Sequence, residues 1–115
     1  MNLETRLQID LVKWIRETYP DLLFTSTQAG DRRSKLAAMM MKRMGYRNGT
    51  QDLIFFEPRH GFKGLALELK TEIGSWSLSQ REFRDKAIAR GYQYGVTYGL
   101  GQAKQIIIEY LSGAA

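Results

Sequence analysis

The stretch GLALELK, residues 64–70, alternates without a break, with Leu65, Leu67 and Leu69 interleaved with Ala66, Glu68 and Lys70. A period of two is the signature of a strand whose side chains leave on opposite faces. The leucines therefore claim a core, and a carboxylate and an ammonium two residues apart share the other side. That side is either a solvent-facing edge, where Glu and Lys are common, or a polar cleft. Three neighbours point to the cleft. Asp52 heads the preceding apolar run, DLIFFE, and the connection PRHGFK reads as a hairpin that brings its carboxylate toward Glu68. The leucines commit the opposite face. The segment TEIGSWSLSQ, rich in Gly and Ser, follows Lys70 as an accessible loop.

Helical periods surround these strands. NLETRLQIDLVKWIRETYP places Leu3, Leu7, Leu11 and Trp14 on one face, with Asn2 as cap and Pro20 as stop. LLFTST reads as a short strand. RRSKLAAMMMKRMG reads as a helix closed by Gly45, with Leu36, Ala37, Met40 and Met44 on one side and Arg32, Lys35, Lys42 and Arg43 on another. SLSQREFRDKAIARG is a helix running from a serine cap to Gly91, YQYGVTYG is a strand, and QAKQIIIEYL carries Ala103, Ile106, Ile107, Tyr110 and Leu111 at helical spacing. The resulting order, α-β-α-β-β-α-β-α, makes an α/β fold with a small mixed β-sheet flanked by helices. With 115 residues the chain is expected to be one domain, 1–115, with 112–115 as a loose tail.

Composition narrows the chemistry. No apolar run approaches the roughly 18 residues of a membrane span, and the N-terminus lacks the apolar core of a signal peptide. A cytoplasmic setting without membrane contact is expected. There is no cysteine and a single histidine, His60, so a metal must be held by oxygen, which suits Mg²⁺ or Mn²⁺ rather than zinc. The net charge of +5 is matched by residues 31–47 alone, where six basic residues face only Asp31. Such a patch either faces solvent or meets the phosphates of a nucleic acid. The methionines Met39, Met40, Met41 and Met44 read first as packing residues.

Two carboxylates converging on one point repel unless a cation lies between them, and hydrated Mg²⁺ suits such a pair. A lysine beside them orients or deprotonates a water, or stabilises charge on a phosphorane. The array Asp52–x15–Glu68–Leu69–Lys70 resembles the signature of the PD-(D/E)xK nuclease superfamily. Together with GTQDL, SLSQ, GYQYGV, a closing A-x-x-x-I helix, and Glu4 and Gln8 one turn apart, it resembles the virus-type replication-repair nuclease (VRR-NUC) domain over residues 2–112. Gln51 stands where the superfamily name expects proline, a position that shapes a turn rather than chemistry.

The resemblance implies a restriction-endonuclease-like core and a Mg²⁺- or Mn²⁺-dependent endodeoxyribonuclease of a bacterium or phage-infected host. It implies Asp52 and Glu68 as metal ligands, with the Leu69 carbonyl and Glu4 beside them, Lys70 as the catalytic lysine, and Gln80 as a site glutamine. Glu4 and Gln80 each have another reading. Glu4 suits a helix N-terminal dipole, although its row through Gln8, Val12 and Ile15 turns it inward. Gln80 completes a capping box with Ser77. Arg32, Lys35, Lys42 and Arg43 are expected to bind the DNA backbone. Trp76 either stacks on an unpaired base or packs, and His60 has no catalytic part. Branched DNA such as flaps or four-way junctions is the implied substrate. A homodimer is expected, with Met41, Phe62 and Trp76 as leftover apolar surface. A DNA-binding module without activity and an RNA-directed nuclease stand as alternatives.

Overall fold

The computed structural model describes residues 3–27, 34–70 and 76–114. Its elements are α1 (Leu3–Thr18), β1 (Phe24–Ser26), α2 (Lys35–Arg43), β2 (Leu53–Phe55), β3 (Gly64–Lys70), α3 (Leu78–Ala89), β4 (Tyr92–Tyr98) and α4 (Leu100–Leu111). The order is the one the periodicities predict. The sheet runs β1-β2-β3-β4, antiparallel except for β3 and β4. That parallel pair requires a crossover, which α3 supplies. Among the described residues no helix is long and apolar enough to cross a membrane.

The core lies on the leucine side of β3. Leu65, Leu67 and Leu69 pack there with Leu53 and Phe55 of β2, Leu7, Leu11 and Ile15 of α1, and Ala103, Ile107 and Tyr110 of α4. In α1 the buried row ends on Ile15, with Trp14 only half-buried. The helix stops before Pro20, Tyr19 closing it by donating to Ile15 O at 2.7 Å. The turn between β2 and β3 has an Arg59–Phe62 bridge and positive φ at both His60 and Gly61, the geometry a tight hairpin favours.

Two expectations change. Residues 112–114, expected with 115 to be a loose tail, lie against the hairpin: the His60 N–H donates to Ala114 O at 2.7 Å and the His60 ring packs on Gly113, while Ala115 is outside the described residues. The small side chains of SGA let the chain lie flat against the hairpin. In α2 the stripe Leu36, Met40 and Met44 faces outward, with Leu36 64% and Met44 83% exposed, and none of the helix's residues is buried. Ala37, Ala38 and Met41 form its more protected side. Of its bulky side chains Leu36, Met39, Met40 and Met44 are exposed, and Met41 alone shares the protected side with the two alanines. Ser34 is its N-cap, its side chain accepting from the Ala37 N–H at 3.0 Å, so the helix starts at Lys35.

Candidate active site

At the carboxyl end of β3 the chain leaves the sheet, and the described chain resumes at Trp76 before the head of α3. A cavity of about 380 Å³ opens there, lined by Glu4, Asp52, Glu68, Leu69, Lys70 and Gln80. These are the six residues assigned to catalysis or metal binding from sequence. β2 and β3 are antiparallel, with Leu53 opposite Leu67, which sets Asp52 beside the end of β3. Asp52 Oδ2 accepts the Leu69 N–H at 2.7 Å, and its own carbonyl accepts the Thr27 N–H at 3.1 Å. The aspartate is thus tied to strands on both sides. In an extended strand a residue's N–H and C=O point the same way, so the Leu69 carbonyl turns toward the Asp52 side as well.

Glu68 is only 4% exposed. Burial, and then the Asp52 carboxylate beside it, push its carboxyl from the ordinary 4.5 up to about 8, with Lys70 acting in the opposite sense and Glu4 adding to the rise. Gln80 Nε2 donates to Glu68 Oε1 at 3.1 Å. The same Gln80 accepts the Ser77 N–H through Oε1 at 3.1 Å, while Ser77 Oγ accepts the Gln80 N–H at 3.1 Å. One side chain thus completes the capping box and also donates to Glu68, so the two readings of Gln80 do not compete. The box fixes the amide rotamer and leaves its N–H2 aimed at the glutamate.

The loop before Asp52 is pressed against this helix head. Gly49 has φ +83°, and a Cβ there would collide with the backbone of Ser79 and Gln80. Only glycine permits that approach.

The remaining sequence assignments separate. Gln8 is half-buried and donates to Ser26 Oγ at 3.1 Å, whereas Glu4 lines the cavity but is exposed, so of the pair only Gln8 turns inward. The first turn of α1 lies at the rim, beyond the last packed layer. Lys35, Lys42 and Arg43 are exposed on α2, and Arg32 lies outside the described residues. His60 Nε2 lies 3.1 Å from Tyr110 O and 3.3 Å from Glu109 O, at the end of α4 and away from the cavity. Gln51 is wholly buried, and its backbone carbonyl accepts from the Thr27 hydroxyl. It is a packed polar side chain as well as a turn residue.

Sequence reasoning passed over Arg84 and Tyr94. Trp76 stands between them, its ring 5.4 Å from that of Tyr94 and 5.5 Å from Arg84 Cζ, with Lys70 Nζ at 6.0 Å. Trp76 thus packs, and it holds two cations at the edge of the site. The i, i+4 step from Gln80 to Arg84 was the available signal. Tyr94 is held protonated by burial and by the nearby Glu68.

Among the described residues no group of three or more His, Cys, Asp or Glu side chains stands ready to enclose a metal. Two close carboxylates, one of them buried, and only oxygen donors fit a hard divalent cation that keeps most of its water, and Glu4 is not drawn into the pair.

No family model and no curated protein matches the chain by sequence. A solved structure described as a VRR_NUC domain protein superposes with a TM-score of 0.75, at 24% identity, over 99% of this chain and 92% of that one. The chain has a VRR-NUC fold. Because the match spans nearly the whole of both chains, the sheet and helices that frame Asp52, Glu68 and Lys70 all belong to that fold.

Proposed function

We propose that the chain is a divalent-cation-dependent endonuclease hydrolysing phosphodiester bonds in DNA. The observation that carries this reading is the buried Glu68 set against Asp52, with Lys70 and Gln80 in the same cavity. A carboxyl placed so that it resists ionisation costs stability and is expected where chemistry uses it.

Asp52, Glu68 and the Leu69 carbonyl would hold Mg²⁺ or Mn²⁺, with Glu4 at the rim. The cation, when bound, would neutralise the two acids, polarise a phosphoryl oxygen and make water a stronger acid. Gln80 keeps one Glu68 oxygen oriented by its hydrogen bond. Lys70 lines the same cavity with its Nζ 6.0 Å from the Trp76 ring, where its ammonium would stabilise negative charge gathering on the phosphate or, deprotonated, take a proton from the attacking water. Trp76 limits where that ammonium can go.

The test is cleavage of labelled DNA by purified variants. Asp52→Ala and Glu68→Ala abolish Mg²⁺-dependent cutting, and a chelator stops the wild type. Lys70→Ala lowers the rate by about 100-fold or more while calorimetry still finds Mn²⁺ bound, since an ammonium cannot ligate a cation. Full activity of folded Asp52→Ala protein would refute the mechanism. A wild type that binds DNA but never cuts it would leave a binding module.

Substrate and assembly extend the reading. The basic residues Lys35, Lys42 and Arg43 give contacts to phosphates rather than bases, which favours recognition of DNA shape, such as flaps or four-way junctions. Cutting two strands together needs two sites, and a two-fold homodimer is the simplest arrangement. The exposed stripe Leu36, Met40 and Met44 supports an interface on α2. Of the three residues expected to supply it, Phe62 is exposed, while Met41 and Trp76 are more protected.

A further inference from the structure

A second cavity, of about 420 Å³, lies on the same face of the sheet as Glu68. Its floor contains Ile54, Ala66 and Tyr92, and its walls Phe56 and Phe83. The rim carries Arg47, Lys86 and Arg90, all exposed, and among the described residues no acid lines it. Phe83, Lys86, Ala87 and Arg90 fall on one face of α3 and its C-cap at i, i+3, i+4 and i+7. Arg90 is braced there, its Nη1 donating to Lys86 O at 2.9 Å. Phe56 follows β2, continues the outward-facing row of Ile54, and stays 45% exposed.

An apolar, aromatic trough with a wholly cationic rim fits a flat apolar group joined to an anion. Its position identifies which. Ile54 and Ala66 are paired in the sheet. They stand two residues from Asp52 and Glu68 along their strands, a step of roughly 6.8 Å. That is about the span of one nucleotide of backbone, and because both faces of a stacked base are already covered by its neighbours, a base meets the exposed Phe56 ring only if it is unstacked. We infer that this trough is a subsite for an unpaired nucleotide adjoining the scissile phosphate, its base against Phe56 and its phosphate at Arg47, Lys86 and Arg90. The inference rests on the nuclease reading and deepens it, making a strand with an unpaired tail the substrate.

The chemistry is sequence-tolerant, because every base has a face that stacks on an aromatic ring. Arg47 leads from α2 toward the cavity of Asp52, and Arg90 closes the far end of α3. The trough therefore aligns the tail along α3, from the site toward the C-terminal end of the helix.

Binding of tailed and blunt duplexes is measured by fluorescence anisotropy, with Ca²⁺ in place of Mg²⁺ to hold back cutting. Tails of both polarities are used, with an abasic nucleotide placed at each unpaired position in turn. Wild type is expected to favour one tailed duplex over the blunt one, and to lose about tenfold in affinity when the base at one position is removed. Phe56→Ala should abolish that sensitivity to the missing base, and Phe56→Trp should restore it, a coupling that a merely structural role would not produce. The subsite is overturned if Phe56→Ala retains the full abasic penalty, or if no position shows one. Mg²⁺-dependent cleavage by the same wild-type preparation then tells whether the nuclease reading survives. If the chain neither binds nor cuts any of these duplexes, both fall.

Discussion

Glu68 illustrates how one side chain links stability to chemistry. Its carboxyl titrates near 8 in the folded chain and at 4.5 in its ordinary surroundings. Between those values the unfolded chain has released a proton that the folded chain retains. The contribution of Glu68 to the stability of the cation-free protein is therefore full below pH 4.5 and is lost as pH rises toward 8. Thermal melts in chelator should show a lower midpoint at about pH 8 than at about pH 5.5. Adding Mn²⁺ should reverse the trend, because a cation binds the ionised form and displaces the proton. Glu68→Gln should flatten the cation-free profile and raise the midpoint at the alkaline end while abolishing cleavage. A profile that rises with pH in chelator would contradict the burial of this acid. The sequence made Glu68 visible through its place in an alternating strand. It did not show the burial, because the cover includes Gln80, which sits 12 residues along the chain.

At the level of elements, the head of α3 is where local and long-range requirements meet. Ser77 and Gln80 cap the helix and Gln80 reaches Glu68. Ser77→Ala should cost about 1 kcal/mol of stability through the missing cap but should slow cleavage little, since the Ser77 backbone N–H that holds the Gln80 side chain remains. Gln80→Glu keeps the length but adds a negative charge beside Glu68, so it should lower activity more than Gln80→Ala at equal folding. Melting curves paired with single-turnover rates separate the two effects. This cap was legible because its residues are three apart. The helices and the hairpin were legible for the same reason, their signals being local. α2 was the element misread: its residues alternate small, apolar and cationic, and a period can be seen without revealing which apolar side has a partner. Leu36, Met40 and Met44 form a clean stripe that faces outward, while the two alanines sit on the protected side.

At the scale of the whole molecule, α2 presents cationic and apolar residues to the surface together, Lys35, Lys42 and Arg43 beside Leu36, Met40 and Met44. Lys35→Glu with Lys42→Glu should weaken DNA binding and reduce its salt slope by about 1 for each phosphate no longer neutralised. An unchanged slope in a salt titration would mean that the face is merely solvated. Met44→Lys should shift the proposed dimer to monomer, and light scattering giving the single-chain mass of 13.2 kDa for the wild type, with and without junction DNA, would remove the dimer altogether. The order of elements was readable from one sequence because each period is local, as was the hairpin between β2 and β3. The approach of Gly49 to Ser79 was not, since residues 30 apart carry no mutual signal. That approach has a genetic consequence. Two backbones touch there with nothing between them, so an alanine would act as a wedge between the loop that bears Asp52 and the helix that bears Gln80. Loosening at that seam separates the acid from its neighbours before the leucine core gives way. Position 49 is therefore where a heat-sensitive allele should be sought: a chain that folds when warm, keeps its sheet, and has already stopped cutting.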